Sequence, residues 1–350
     1  MPRELRGVAT YDAPPNIALV KYWGVRDAEL VLPYNSSLSV TLDRLRSRTR
    51  VRFSPSLEED EVVLNGVRAT GGARAAVLRM LELVRELARG SGSAEVRSEN
   101  NFPTASGLAS SASGFAALAA AASAAAGLRL SGRELSRLAR RGSGSAARSI
   151  FGGFVRWEAG RRPDGKDSFA RTLFGPGHWP ELLDLVVLVE GAPVKSVRSA
   201  DAMQATVRTS PEYARRLAGL PRRLARIERA IAARDPGKLF PLVMEECDSF
   251  REVCETTFPS LDYLTPSSRA ILEEVRALNR AAGRPVAGYT HDAGAHVHLF
   301  TLERDAKSLR RRIAAVAGVR SVLVVRPGPG TRRVDGRAPS GAAPERRRQP

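Results

Sequence analysis

Lysine is nearly absent from this chain. Of 55 basic residues only five are lysine, Lys21, Lys166, Lys195, Lys238 and Lys307, and arginine supplies the rest. Cysteine is scarcer still, with Cys247 and Cys254 alone. Their spacing matches no zinc or redox signature, which excludes a disulfide scaffold and suits a reducing cytoplasm. Aromatic residues make up 6% and are not interleaved with the basic ones, as a single-strand nucleic-acid platform would need. No apolar run approaches the roughly 18 residues of a membrane span; the alanine run at 116–127 is short and weakly apolar. The start, Met-Pro-Arg-Glu-Leu-Arg-Gly, carries no apolar signal core, so export is not expected.

The 350 residues, 43% hydrophobic, are enough for one large domain or two ordinary ones. The net charge of +18 first suggests nucleic acid. Two observations argue against it. The arginine bias runs through the whole chain alongside heavy Ala and Gly usage, a compositional trend and not a localised patch. Residues 326–350 carry seven Arg against two acids, and this Pro/Gly/Arg-rich stretch is expected to be a disordered basic tail.

Strands are predicted at 8–11, 17–20, 38–42, 61–64 and 94–99. Another runs at 49–53, where Thr49, Val51 and Phe53 alternate with Arg48, Arg50 and Arg52. Helices are predicted at 73–89, with Leu78, Leu81, Val84 and Leu87 as its apolar face, at 112–127, and at 131–140 with Ser131 as N-cap. A strand at 152–158 closes this half. After a soft boundary near 185 come a buried strand at 185–189 and helices at 199–208, 211–233, 236–249 and 266–282. Strands at 286–290 and 297–301, a helix at 306–316 and a strand at 319–325 complete the pattern.

The most informative stretch is 98–115. Ser98-Glu99-Asn100-Asn101-Phe102 precedes a run of Pro, Gly, Ser and Ala that opens directly into the alanine-rich helix. Small side chains allow close backbone approach, and a helix start offers free N–H groups and a positive dipole end, so the reading is a phosphate loop. It contains no lysine and is not a Walker P-loop. Lys21, at the end of an apolar strand, is either an ordinary strand-end lysine or a compact point charge that arginine cannot replace. Asp292, in a polar break between two strands, is either a turn cap or a catalytic carboxylate. Arg148, after Gly-Ser-Gly-Ser, is either a solvated arginine or a fork for a carboxylate. His291 is expected on the opposite face from His296 and His298, which argues against a zinc site.

Pro103-Thr104-Ala105-Ser106-Gly107-Leu108-Ala109-Ser110-Ser111-Ala112 resembles the ATP loop of the GHMP kinase superfamily. Together with Ser98 to Phe102, the segment Ala13 to Gly24 containing Lys21-Tyr22-Trp23-Gly24, the segment Gly142 to Gly153, and Tyr289-Thr290-His291-Asp292-Ala293-Gly294, it is similar to the mevalonate diphosphate decarboxylase branch over residues 8–325. The resemblance implies an α+β GHMP kinase fold. An N-terminal ribosomal-protein-S5-like ATP-binding domain (1–185) and a C-terminal ferredoxin-like domain (186–325) would be followed by the tail (326–350).

It also implies ATP and Mg²⁺ as cofactors and a phosphorylated mevalonate as substrate, within isoprenoid biosynthesis. Asp292 would accept the proton of the tertiary hydroxyl, Lys21 would lie beside it, and Arg148 would hold the departing carboxylate. Ser110 and Ser111 would meet the ATP phosphates, Ser111 also Mg²⁺, with Ser98, Asn101 and the loop from Pro103 to Ala109 completing the ATP site. Tyr22, Trp23, Gly24, Ser143, Gly144 and Ser145 would contact substrate, and Arg74 its 5-phosphate. A cytoplasmic homodimer is expected, with neither membrane nor nucleic acid as partner. Val25 and Ala200 stand where relatives place phosphate-binding Lys and Arg, and His291 where Phe is common. These departures leave open a phosphomevalonate decarboxylase or a mevalonate 3-kinase, with Arg26, Arg198 or the arginines of 73–85 as substitutes. A catalytically dead ATP sensor and a basic RNA-binding protein are the readings from other classes.

Overall fold

The computed structural model describes residues 3–102, 110–191 and 197–334. Its helices are α1 (Gly71–Ala88), α2 (Ser110–Ala125), α3 (Gly132–Gly142), α4 (Ala146–Ser149), α5 (Ser199–Thr209), α6 (Tyr213–Ala232), α7 (Pro236–Glu255), α8 (Pro266–Ala282) and α9 (Glu303–Ala314). Three sheets carry them. The first has six strands in the order Arg332–Arg333, Gly7–Ala13, Ser47–Phe53, Ala94–Asn100, Glu61–Leu64 and Val67–Arg68. The second has four, in the order Ala170–Phe174, Phe154–Trp157, Ser37–Thr41 and Asn16–Val20. The third, all antiparallel, runs Ala287–Thr290, Val297–Leu302, Leu182–Val189 and Val319–Val325.

Strand Ser47–Phe53 shows the predicted alternation: Ser47, Thr49, Val51 and Phe53 are buried. The arginines between them pair across the sheet, Arg48 with Asp12 at 2.7 Å and Arg52 with Glu95 at 3.0 Å. The buried face receives α2, whose alanines let helix and sheet approach closely. At Gly7 a Cβ would lie 2.4 Å from the carbonyl oxygen of Ala125. Ser131 is an N-cap as predicted and forms a capping box with Glu134. In the centre of the molecule α6 and α7 join the second and third sheets in one core that includes Ile17, Val40, Phe154, Ile227, Phe240 and Phe300.

Two expectations are corrected. The buried face of α1 is Val77, Met80, Leu81 and Val84, while Leu87 is 54% exposed. Steps of exactly three residues drift by about 60° each on a 3.6-residue helix, so Leu78, Leu81, Val84 and Leu87 cannot share one face. The second correction concerns residues 326–334, expected within a disordered tail. They form a strap that returns to the first half of the chain. Gly328 donates to the Thr41 carbonyl at 2.7 Å and accepts from Gly153 at 2.9 Å, and Arg332–Arg333 pair with Asp12 and Tyr11. Thr331 caps the end of α4, its N–H on the Ser149 and Ile150 carbonyls and its Oγ1 on Ser149 at 2.9 Å. Arginine richness suggested disorder, but the backbone of this segment is satisfied in the fold.

The strap lies so close that Gly330 has no room for a side chain: a Cβ would sit 2.4 Å from the Ile150 carbonyl. Gly330→Ala is expected to destabilise the protein by about 1–3 kcal/mol, the usual range for overpacking, as read from the denaturant midpoint.

Candidate active site

Strand Asn16–Val20 is buried along its whole length and delivers Lys21 to the floor of a cleft of about 300 Å³. Lys21 is 3% exposed. Its Nζ donates to the Ala18 carbonyl and to Asp292 Oδ1, each at 2.8 Å. Asp292 comes from the turn between strands Ala287–Thr290 and Val297–Leu302 and also lines the cleft. Burial pushes its carboxyl up, but the adjacent Lys21 ammonium outweighs this, helped by His298 and Arg148. The net pKa lies below the ordinary value of 3.8.

Arg148, on α4, is 3% exposed and lines the same cleft. Its Nε donates to Asn16 Oδ1 at 3.1 Å and its Nη1 to Ser37 Oγ at 2.7 Å. The guanidinium carbon sits 6.0 Å from the Trp157 ring centre. Among the described residues no carboxylate forms an ion pair with it. Burial pulls its pKa down to about 10, against the favourable charge of Asp292. A buried cation held by neutral groups at the edge of a cleft is built to receive an anion.

The wall leading into α4 is made of small residues. Gly142, Ser143, Gly144 and Ser145 line the cleft at the end of α3, and Ser143 Oγ is 3.5 Å from the hydroxyls of both Ser111 and Ser145. Tyr22 packs at a tilt against Trp157, ring centres 4.7 Å apart, and presses on Gly144, where a Cβ would lie 2.6 Å from its ring. Burial raises the Tyr22 hydroxyl pKa, so it remains a neutral donor. Trp23 bonds Thr206 at 3.0 Å and packs edge-on against Phe250, another lining residue. Gly24 is not a wall residue. It turns the chain at φ +100°, where a Cβ would collide with the Tyr213 hydroxyl that donates to the Trp23 carbonyl.

A second, mostly apolar slot of about 320 Å³ adjoins the first and shares Ser111 with it; Leu64, Val77, Val96, Ser98, Ser110 and Phe115 are among its lining. Ser98 Oγ there lies 2.8 Å from Thr49 Oγ1. Asn101 lines neither space; its side chain pins the main chain of Arg44 and Arg46, both at 2.7 Å. Pro103, Thr104, Ala105, Ser106, Gly107, Leu108 and Ala109 lie outside the described residues. Arg74 also does not line the cleft: it donates to the Asp60 carbonyl at 3.1 Å and pairs with Glu59.

Val25 and Ala200 do line the cleft. The suggested substitutes are engaged elsewhere, Arg26 on the carbonyls of Pro33 and Arg162, and Arg198 on Asp201 at 2.9 Å. Among the described lining residues Lys21 and Arg148 are therefore the only cations. Sequence reasoning missed Asn16, Ser37 and Glu246, which hold Arg148 and Lys21. A polar residue inside an otherwise apolar strand was the available signal for Asn16. His291 bonds the Asp292 carbonyl through Nδ1 at 2.8 Å, and burial lowers its pKa to about 4. His298 pairs with Asp184 at 2.7 Å. No trio of metal-ligating side chains occurs among the described residues.

Fold and site define an enzyme of the GHMP kinase fold. The description "Diphosphomevalonate decarboxylase-like N-terminal domain" matches residues 13–170, and "Mevalonate 5-diphosphate decarboxylase C-terminal domain" matches residues 185–324. The chain is 43% identical to the diphosphomevalonate decarboxylase of Aspergillus fumigatus over 326 residues, 89% of this chain and 80% of that protein. It is 43% identical to the Bos taurus enzyme over 313 residues, covering 85% and 77%. Its structure is similar to the mevalonate diphosphate decarboxylase from Enterococcus faecalis, with TM-score 0.85 and 36% identity over 94% of this chain and 99% of that one. A further similar structure, "MDDEF in complex with MVAPP, AMPPCP and Magnesium", gives TM-score 0.86 at 36% identity over the same shares. The chain belongs to the diphosphomevalonate decarboxylase family.

Because Lys21 is the main group holding the half-buried Asp292 carboxyl below its ordinary pKa, Lys21→Met should raise the Asp292 pKa. Activity that needs the carboxylate is present above that pKa and lost below it, so the acid limb of the pH–rate profile should move to higher pH. A stopped-time assay across the acid range measures this.

Proposed function

We propose that the chain converts mevalonate 5-diphosphate to isopentenyl diphosphate, using ATP and releasing CO2. The observation that carries this reading is the pairing, on one cleft, of an ion-paired carboxylate, Asp292, with a buried guanidinium, Arg148, that has no carboxylate partner among the described residues. Asp292 takes the proton of the C3 hydroxyl as that oxygen attacks the γ-phosphorus of ATP and ADP departs. The new O–P bond makes the C3 oxygen a phosphate leaving group, and the C3–O bond then breaks, the phosphate departing with its electron pair. The electron pair of the bond to the carboxylate forms the alkene, and CO2 leaves. Arg148 grips the carboxylate in a two-point fork, and Lys21 supplies fixed positive charge beside the reacting oxygen.

Ser110 and Ser111 at the start of α2, with Ser143, Gly144 and Ser145, offer hydroxyls and N–H groups for phosphate oxygens. The apolar slot beside Ser111 suits the nucleotide base. Mg²⁺ supplies charge neutralisation to the ATP phosphates. Asp292 is the one carboxylate among the described lining residues, which fits an ion bound mainly through phosphate and water with Ser111 as its protein ligand. The reading includes two domains divided near residue 185. The third sheet begins in chain order with the unbroken strand Leu182–Val189, which favours placing the division just before residue 182, and lining residues come from both sides of it, Lys21 and Arg148 before and Met203, Phe250 and Asp292 after. No helix among the described residues is long and apolar enough to cross a membrane. A cytoplasmic setting is supported by two free, buried thiols, one pushed up to about 12 by burial; a homodimer is carried by family resemblance.

Asp292→Asn keeps the shape and removes the base, so turnover should fall about 10²–10⁴-fold with little change in substrate binding. Coupled release of ADP, phosphate and CO2 is the assay; ADP without CO2 would identify a 3-kinase instead.

The phosphate end of the cleft favours a second reading on substrate choice. Val25 and Ala200 remove contacts worth about 1.5–3 kcal/mol each if charge-assisted. The preference for the 5-diphosphate over the 5-monophosphate is then expected to be modest, and Val25→Lys should shift it toward diphosphate by roughly tenfold. Parallel kcat/KM values for mevalonate, its 5-phosphate and its 5-diphosphate test this. A strong wild-type preference that Val25→Lys leaves unchanged would remove Val25 as a determinant.

A further inference from the structure

The Lys21–Asp292 pair is held from behind by an ion cluster that does not line the cleft. Glu246, on α7, has a fully buried side chain. Its Oε1 accepts the main-chain N–H of Lys21 at 3.0 Å and a guanidinium N–H of Arg216. Its Oε2 accepts from Arg216 at 3.3 Å and from Arg223 at 2.9 Å. Every partner is a donor, so only an acceptor-only, ionised carboxylate satisfies them all. Arg216, on α6, is also buried and lies over the ring of Phe250, which lines the cleft. The other side of Lys21 is held by Asn35, whose Nδ2 donates to the Lys21 carbonyl at 3.0 Å.

Lys21 needs this support because of where it sits. It follows the last residue of strand Asn16–Val20, beyond a register shift between Ala18 and Val20, and so has no sheet partner. A buried charge cluster is a costly way to join two helices, since apolar contacts usually do as well or better. What apolar contacts cannot provide is an acceptor for the Lys21 N–H.

We propose that Glu246, fixed by Arg216 and Arg223, is a positioning residue that sets the main chain of Lys21 and thereby aligns its ammonium with Asp292. The inference rests on the reading of Asp292 as proton acceptor.

Two variants of the full chain test it, Glu246→Gln and the double variant Arg216→Met with Glu246→Met. The double variant removes the buried charge while Arg223 keeps its pairing with Glu245 at 3.1 Å. Unfolding midpoint, kcat, KM and the acid limb of kcat are measured with ATP and mevalonate 5-diphosphate. In both variants kcat should fall about 10–100-fold, as expected for misplacement of a reacting group, with KM changed much less. The acid limb should also move to higher pH. Asp292 is faced by Lys21 from the strand end, Arg148 from α4 and His298 from strand Val297–Leu302, and the nearest of these, Lys21, would be displaced from it. Should Glu246→Gln not fold, the double variant decides alone. A folded double variant with wild-type kcat and acid limb overturns the inference. Asp292→Asn separates the two layers. If it is inactive while the double variant behaves as wild type, only the role of Glu246 falls. If it turns over normally, the reading of Asp292 is at fault.

Discussion

The contact between Lys21 and Asp292 spans 271 positions of sequence, and the rest of the site is arranged around it. An ammonium this deeply buried needs acceptors for its N–H groups, and here a carboxylate and the Ala18 carbonyl take two of the three. That requirement brings the end of strand Asn16–Val20 against the turn that follows strand Ala287–Thr290. Thr290 adds a longer contact to the same Ala18 carbonyl at 3.5 Å. Removing Asp292 would leave the buried Lys21 charge without its counter-ion.

Arg148 shows the opposite arrangement. Its guanidinium is held by an amide oxygen, a serine hydroxyl and an indole face, none of which carries a negative charge. Such a cation is expensive in an empty site and strong toward an arriving carboxylate, because low dielectric magnifies both. The local chain supports that cost. Asn16 also bonds Ser149 at 2.8 Å, and Thr331 of the returning strap caps the same short helix. The segment at 326–334 thus bears on the cleft without touching it.

Much of the cleft depends on side chains that are small. A Cβ at Gly144 would strike the Tyr22 ring, and one at Gly142 would lie 2.2 Å from Phe115. These positions let α3 end close enough for Ser143 to approach Ser111 at the start of α2. Two stretches rich in hydroxyls then meet, one at a helix start and one at a helix end followed by a polar turn.

The ordered motifs made the family, the α+β class and the residues Lys21, Asp292 and Arg148 legible, because those residue types sit in short local patterns tied to their chemistry. Strand alternation at Ser47–Phe53 and the capping box at Ser131 were equally local, and local rules suffice for them. Features set by distant neighbours were not legible. The buried face of α1 depends on which side meets the sheet. Asn101 found partners in a loop 57 residues away, Arg74 in the segment just before strand Glu61–Leu64, and the arginine-rich end found a sheet edge. The sequence by itself determined the chemistry available at the site. Only the tertiary structure decided that Glu246 and Asn35 would grip the main chain of Lys21 and that Asn16 and Ser37 would hold Arg148, because buried polar groups must be satisfied by whatever the packed fold brings within about 3 Å.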